Sequence, residues 1–288
     1  MIEASTSLPS ASPLQMPRFG LGTWRIGERD SQRQTEVAAL RGAIGLGYRL
    51  IDTAEMYGEG GSERVIGEAL AQAVAAGEVE RRQMYIVSKV YPQHATRMGV
   101  ANACQRTLQR LGMVYLDLYL LHWRGEHPLG ETIAGFDSLI ERGLIRRWGV
   151  SNFDTSDLAE LVSLPGGRQC AVNQIYFSLG ERGAAFSLLP WMRDHGMLAM
   201  AYSPIDQGAL ASSATLQPIA DRLGCSRAQL ALAWVLAQTG MVAIAKAVDA
   251  QHLRDNIRAG DIQFQPADLA EIDLAFPAPR RKKPLAMI

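Results

Sequence analysis

Short runs of β-branched and apolar residues alternate along this chain with stretches whose apolar positions recur at three- and four-residue spacing. Eight runs read as strands: Gly20–Trp24, Arg49–Asp52, Met84–Val90, Leu118–His122, Arg147–Ser151, Ala171–Ile175, Leu198–Tyr202 and Val242–Lys246. Between them Val37, Leu40 and Ile44 share a helix face, as do Val100, Cys104, Leu108 and Leu111, and Leu230, Ala233, Trp234 and Ala237. These spacings predict amphipathic helices packed on a sheet. Strict alternation of strand and helix requires parallel strands with right-handed crossovers, which close as a doubly wound open sheet or as a barrel. The strand count favours an α/β (β/α)8 TIM barrel. No Pro/Gly/Ser-rich linker divides the chain, so residues 18–288 read as one barrel domain behind a flexible leader, residues 1–17. That leader lacks the basic start and apolar core of a secretory signal.

Composition narrows the partners. At 288 residues, 48% hydrophobic and 20% charged, the chain can bury a large core, and barrels of ~250 residues form single domains. Lys plus Arg and Asp plus Glu both total 29, leaving no net field to draw the protein onto nucleic acid or an anionic membrane. A small-molecule partner is expected. Cys104, Cys170 and Cys225 are scattered and form no CxxC pair, which predicts reduced, buried thiols. No apolar stretch approaches the ~18 residues of a membrane-spanning helix, and a cytoplasmic location is expected. The run Arg280–Lys283 reads as a solvated tail, and the few residues after it predict an open barrel mouth.

In a TIM barrel the chemistry lies where strands end at the C-terminal face, so polar residues closing apolar strands stand out. Leu50-Ile51-Asp52 runs on to Tyr57, Val87-Ser88 ends in Lys89, and Leu120-Leu121 ends in His122. Hydride addition to a carbonyl leaves an alkoxide, and a tyrosine hydroxyl both stabilises and protonates it, which makes Tyr57 the candidate donor. A free phenol has a pKa of ~10; the Lys89 ammonium is expected to lower it, with Asp52 balancing that buried charge. A neutral His122 can orient the substrate oxygen. Any one of these residues alone is more readily structural; the four together at successive strand ends carry the reading.

Asp52-Thr53-Ala54-Glu55-Met56-Tyr57-Gly58, Ser88-Lys89 and Leu121-His122-Trp123 resemble the catalytic motifs of the aldo/keto reductase superfamily. The resemblance runs from Gly20-Leu21-Gly22-Thr23-Trp24 through Gly149-Val150-Ser151-Asn152-Phe153, Asn173-Gln174 and Ala201-Tyr202-Ser203-Pro204 to Asn256. Pro165-Gly166-Gly167 and Leu189-Pro190-Trp191 look most like small bacterial members of the methylglyoxal reductase type. The resemblance implies a catalytic tetrad of Asp52, Tyr57, Lys89 and His122 and an NADPH/NADP cofactor. Gly22, Thr23, Trp24 and Asp52 would then lie by the cofactor, with Ser151, Asn152 and Gln174 clamping the carboxamide and Tyr202 stacking on the nicotinamide. Ser203, Pro204, Ile205 and Gln207 would wrap the pyrophosphate, and Lys246, Ala247, Val248, His252 and Asn256 would take the 2′-phosphate and adenine. Ala245 replaces a common proline and His252 a common arginine, so NADH use stays open. Arg254, two residues from both His252 and Asn256, is expected to point away from them.

Gly20-Leu21-Gly22-Thr23-Trp24-Arg25 starts a Rossmann fingerprint but has Arg25 for its third glycine, and carries no weight. Trp24, Tyr91 and Trp123 follow strand ends and are expected to wall a substrate pocket with Tyr57 and His122. Small aldehydes and ketones, methylglyoxal and other 2-oxoaldehydes among them, are the expected substrates of a metal-independent monomer. The alternatives are a noncatalytic NADP(H)-binding redox sensor, as in potassium-channel β subunits, or a phosphosugar-type isomerase or lyase, which would need no nicotinamide site.

Overall fold

The computed structural model describes residues 16–288; the expected leader, apart from Met16 and Pro17, lies outside them. Eight strands, β1 (Phe19–Gly22), β2 (Leu50–Asp52), β3 (Tyr85–Val90), β4 (Leu116–Leu121), β5 (Ile145–Ser151), β6 (Val172–Tyr176), β7 (Leu198–Tyr202) and β8 (Met241–Ala245), pair in sequence order into a closed barrel. Every pair is parallel, including the closing β1–β8 pair, where Leu21 lies opposite Ala245. The sequence reading found every strand. Thr23, Trp24, His122 and Lys246 nevertheless stand just beyond their strands, because the ladder ends as the chains splay toward the loops. Two of these four residues still bond across the rim, Thr23 N–H to the Asp52 carbonyl at 3.1 Å and His122 N–H to the Val90 carbonyl at 3.0 Å.

The described helices surround the barrel: α1 (Arg33–Gly45), α2 (Gly61–Ala75), α3 (Arg97–Leu111), α4 (Leu129–Glu141), α5 (Thr155–Ser163), α6 (Leu188–Asp194), α7 (Gln217–Leu223), α8 (Arg227–Ala237), α9 (Ala250–Ile257) and α10 (Pro266–Ala275). Side chains accept from several of their orphan N-terminal N–H groups. Thr96 accepts from Gly99 N–H in α3, Ser226 from Gln229 N–H in α8, and Asp249 from Gln251 and His252 N–H in α9. As expected, Val37, Leu40 and Ile44 are buried in α1 and Val100, Cys104, Leu108 and Leu111 in α3. Helix α8 departs from its expected single apolar stripe: every residue from Leu230 to Leu236 is buried, whereas Ala237 is exposed. It is packed against β8, the loop after β7 and α9, so it has no solvent face to keep polar.

Alternation along parallel strands divides the interior in two. Leu50, Val87, Leu118, Leu120, Val172 and Met200 belong to the cluster filling the barrel, while Ile51, Ile86, Tyr119 and Leu121 belong to the layer between strands and helices. Gly149 sits on the inner side, where a Cβ would lie 2.4 Å from the Val172 carbonyl oxygen and 2.9 Å from Leu120 Cδ2. The backbone oxygen cannot rotate away. Gly149→Ala is therefore expected to lose about 1–3 kcal/mol of stability by overpacking, read as a lower denaturant midpoint at unchanged slope; an unaltered midpoint would show that β5 and β6 separate freely.

Candidate active site

Continuing the inner positions by one more period places the polar residues. Asp52 follows Leu50, Lys89 follows Val87, His122 follows Leu120, Gln174 follows Val172 and Tyr202 follows Met200, each by two residues. A polar layer therefore caps the apolar one at the C-terminal mouth. The same parity brings Gly22, Ser151 and Lys246 to the rim from β1, β5 and β8.

Lys89 is wholly enclosed, and its ammonium donates to Asp52 Oδ2 at 2.7 Å, the Thr53 carbonyl at 2.9 Å and the Tyr57 hydroxyl at 3.2 Å. An ammonium has three protons, so all are placed. The second Asp52 oxygen, Oδ1, accepts from Gln174 Nε2 at 2.7 Å. Burial alone would push the Lys89 pKa down, but Asp52 and then Tyr57 outweigh it and hold Lys89 above its ordinary range, as a cation. For Tyr57 the expected downward pull of Lys89 is present but is outweighed. Burial raises its pKa more than the Lys89 charge lowers it, with Asp52 adding to the rise, so the hydroxyl stays protonated above the ordinary tyrosine value. Tyr57 is thus a phenol, not a phenolate, and available as a proton donor.

His122 stands edge-on to Tyr57, ring centroids 5.8 Å apart. Burial first, and the Lys89 charge second, hold its pKa well below the ordinary histidine value, leaving a neutral ring. Its Nδ1 is buried without a hydrogen-bond partner among the described residues. An unsatisfied lone pair costs less than an unsatisfied N–H, which favours the tautomer with its proton on Nε2. The linkage has a sign. Below about pH 6.5 the unfolded chain binds a proton at this histidine that the folded protein does not, so stability falls by about 1.4 kcal/mol per pH unit as the pH drops. His122→Gln is expected to remove that component from the pH dependence of denaturant unfolding; parallel curves for the two proteins would show that His122 is charged when folded.

Of the residues expected to meet the cofactor, Ser151, Asn152, Gln174 and Tyr202 form one hydrogen-bonded group. Asn152, held in a left-handed conformation at φ 62°, donates from Nδ2 to the His122 carbonyl at 3.2 Å and Ser151 Oγ at 3.1 Å, and accepts at Oδ1 from the Tyr202 hydroxyl at 2.8 Å. Ser151 Oγ donates to the Gln174 carbonyl at 3.0 Å. Tyr202 is backed on one ring face by Tyr176, stacked at 5.8 Å. After β7 the backbone turns left-handed at Ser203, Asp206, Gln207 and Gly208, a strained sequence of turns in which Asp206 N–H donates to the Ser203 carbonyl at 2.9 Å and Gly208 N–H to the Ile205 carbonyl at 3.0 Å. Pro204 is buried and Ile205 half-buried there. Lys246, Val248 and His252 are exposed beyond β8, whereas Ala247 and Asn256 are buried. Arg254 is held by Gln251 Oε1 at 3.1 Å, consistent with a separate direction from His252. Thr23 is wholly buried; its hydroxyl donates to the Asp52 carbonyl at 2.9 Å and accepts from Ser62 at 2.8 Å, so it braces the rim instead of presenting its side chain to the mouth.

The substrate-side aromatics come together unevenly. Tyr91 and Trp123 meet edge to face at 5.9 Å, and Trp123 lies 4.9 Å from His122, which makes a continuous wall above Tyr57. Trp24 is 41% exposed and is covered by the Arg25 guanidinium at 4.4 Å, without a described ring contact to that wall. The open mouth expected of the chain's last residues is corrected: Leu285 packs on the core, Lys282 reaches Asp154 Oδ2 at 3.3 Å, and the backbone of Ile288 comes close to Tyr202. Cys104 and Cys170 are buried, their pKa values pushed up to about 12 by burial, but Cys225 is only half-buried.

A family model for aldo/keto reductases matches residues 18–275. The chain belongs to the aldo/keto reductase family. It is 47% identical to the methylglyoxal reductase YeaE of Escherichia coli, over 96% of each chain. An aldo-keto reductase from Klebsiella pneumoniae, solved in complex with NADPH, superposes with a TM-score of 0.92 at 42% identity and full coverage of both chains. An aldo/keto reductase from Klebsiella pneumoniae, solved with NADP and acetate, gives a TM-score of 0.91, also at 42% identity, over 99% of this chain and 100% of that one. In this aldo/keto reductase the sequence reading gave no role to Glu55 or Asp249 and took Asp206 only as part of the loop from Ser203 through Gln207. Glu55 is buried beside the tetrad, Asp206 accepts from the Tyr176 hydroxyl, and Asp249 holds the first N–H groups of α9. Asp249 alone carried a local signal, an aspartate just ahead of a helical stretch.

Proposed function

We propose that the protein reduces small aldehydes and ketones, 2-oxoaldehydes such as methylglyoxal among them, with NADPH, and that Tyr57 supplies the proton. The observation that carries this reading is the placement of the three Lys89 protons, the last of them on the Tyr57 hydroxyl. When bound, NADPH supplies the hydride that adds to the carbonyl carbon. The carbonyl oxygen accepts hydrogen bonds from the Tyr57 O–H and from His122 Nε2–H, which fixes its position. As negative charge grows on that oxygen, the Tyr57 proton moves to it, and the phenolate left behind faces the Lys89 ammonium at 3.2 Å. Asp52 keeps that ammonium in place and charged. The phenolate then takes a proton back from solvent.

The residues present fit the cofactor. Ser151, Asn152, Gln174 and Tyr202 would hold the nicotinamide, with Gly22, Thr23 and Trp24 alongside. The left-handed loop Ser203, Pro204, Ile205 and Gln207 would take the pyrophosphate, and Lys246, Ala247, Val248, His252 and Asn256 the adenosine end. The Klebsiella relatives, solved with NADPH and with NADP, support this choice, and the name of the Escherichia coli relative supports the substrate class. A monomer is proposed as the working unit. The three unpaired cysteines suit the reducing cytoplasm.

A panel of carbonyls assayed by NADPH consumption tests the reading. Methylglyoxal and other small carbonyls are expected to have higher kcat/KM than bulky ones, because Tyr91 and Trp123 narrow the approach to Tyr57. A protein that binds NADPH and consumes none with any carbonyl would be the noncatalytic sensor instead.

A further inference from the structure

Glu55 lies on the rim loop between Asp52 and Tyr57, and its side chain is only 6% exposed. A buried carboxylate persists only where its charge is met. Glu55 Oε1 accepts from the Tyr91 backbone N–H at 2.8 Å and contacts His94 Nδ1 at 3.0 Å. Oε2 faces Arg106 of α3 at 3.6 Å. The Glu55 backbone N–H, in turn, donates to the Lys89 carbonyl at 3.3 Å. One carboxylate thus joins the loop that carries the proton donor to the loop that carries a substrate wall. His94 also meets the edge of the Tyr91 ring, centroids 6.0 Å apart, so Tyr91 is held by its backbone and its ring at once.

Resting on the carbonyl-reductase reading, we propose that Glu55 is a positioning residue that sets the gap between Tyr57 and the Tyr91–Trp123 wall, and with it the preference for small over bulky carbonyls. Glu55 touches no reacting atom. Without its carboxylate the Tyr91 N–H and His94 lose their common acceptor, and the wall can swing outward while the Asp52–Lys89–Tyr57 chain stays joined. The expected loss is therefore in substrate binding and selection, not in the chemical step.

The test compares wild type, Glu55→Ala and Glu55→Gln with methylglyoxal and benzaldehyde, alongside NADPH binding by fluorescence. Glu55→Ala is expected to raise KM for methylglyoxal about tenfold, with kcat within about twofold and NADPH affinity unchanged. KM for benzaldehyde should rise less than about threefold, which lowers the preference for the small substrate. Glu55→Gln keeps an oxygen for Tyr91 and His94 and should stay within about threefold of wild type. A merely structural Glu55 would lower stability and leave the ratio of the two substrates unmoved, which overturns the proposal. Should Glu55→Ala fail to fold, His94→Ala removes one of the same contacts from a partly exposed position. It is expected to shift the ratio in the same direction, about threefold, and an unmoved ratio there overturns the proposal equally. Wild type that reduces neither aldehyde would instead sink the carbonyl-reductase reading itself.

Discussion

Tyr57→Phe lowers kcat for carbonyl reduction by about 10³-fold and leaves the dissociation constant of NADPH unchanged. The magnitude is that of a lost general acid acting together with lost stabilisation of the developing alkoxide. Phenylalanine retains the ring that meets His122 edge-on at 5.8 Å, so the wall above it keeps its shape. Only the hydroxyl goes, and with it one of the three Lys89 hydrogen bonds, the longest at 3.2 Å. Lys89 still has Asp52 and the Thr53 carbonyl, but one buried proton loses its acceptor, so the stability cost is expected at about 1–3 kcal/mol. Steady-state rates, NADPH titration and denaturant unfolding on the same preparation separate these effects. A variant that keeps a tenth or more of the wild-type kcat would remove Tyr57 as the donor.

Lys89→Met has the other large effect, and it falls on stability as well as rate. Met fills most of the volume of a side chain that is wholly enclosed, but it leaves Asp52, 4% exposed, with Gln174 as its remaining partner. Stranding one member of a buried pair costs about 3–5 kcal/mol, whereas replacing both members costs far less. The double variant Asp52→Asn with Lys89→Met is therefore expected to be more stable than Lys89→Met alone. Neither recovers activity, because the phenolate formed at Tyr57 has lost its counter-charge, and kcat should fall at least about 100-fold. Unfolding midpoints and rates for the three proteins check both statements. A double variant less stable than the single one would mean that the pair is held by something other than its mutual charge.

Much of this was legible in the residues. Parallel strands buried on both faces read as apolar runs, and those runs appear at Leu50-Ile51, Ile86-Val87 and Leu118 to Leu121. The tetrad was legible because Asp52, Lys89 and His122 interrupt such runs two residues beyond an inward-facing apolar residue. What escaped depends on distances in space. Glu55 meets Tyr91, His94 and Arg106, all of them beyond the strand that follows it, and no local spacing announces that meeting. The direction of the Tyr57 pKa shift turns on how completely the site is enclosed, which opposes the nearby Lys89 charge that the sequence does suggest. Helix α8 displays a partial apolar stripe in sequence and is buried on every side because of its neighbours. The return of Ile288 to Tyr202 likewise belongs to the folded chain alone.

The most direct test of the central claim mixes the protein with stoichiometric NADPH and excess methylglyoxal and counts both products of a single turnover. One NADP and one alcohol are expected for each active site, formed together, after binding has been seen by quenching of protein fluorescence. NADPH bound with full quenching and no alcohol formed would contradict the account, leaving a nucleotide-binding barrel whose Tyr57 and Lys89 do no chemistry.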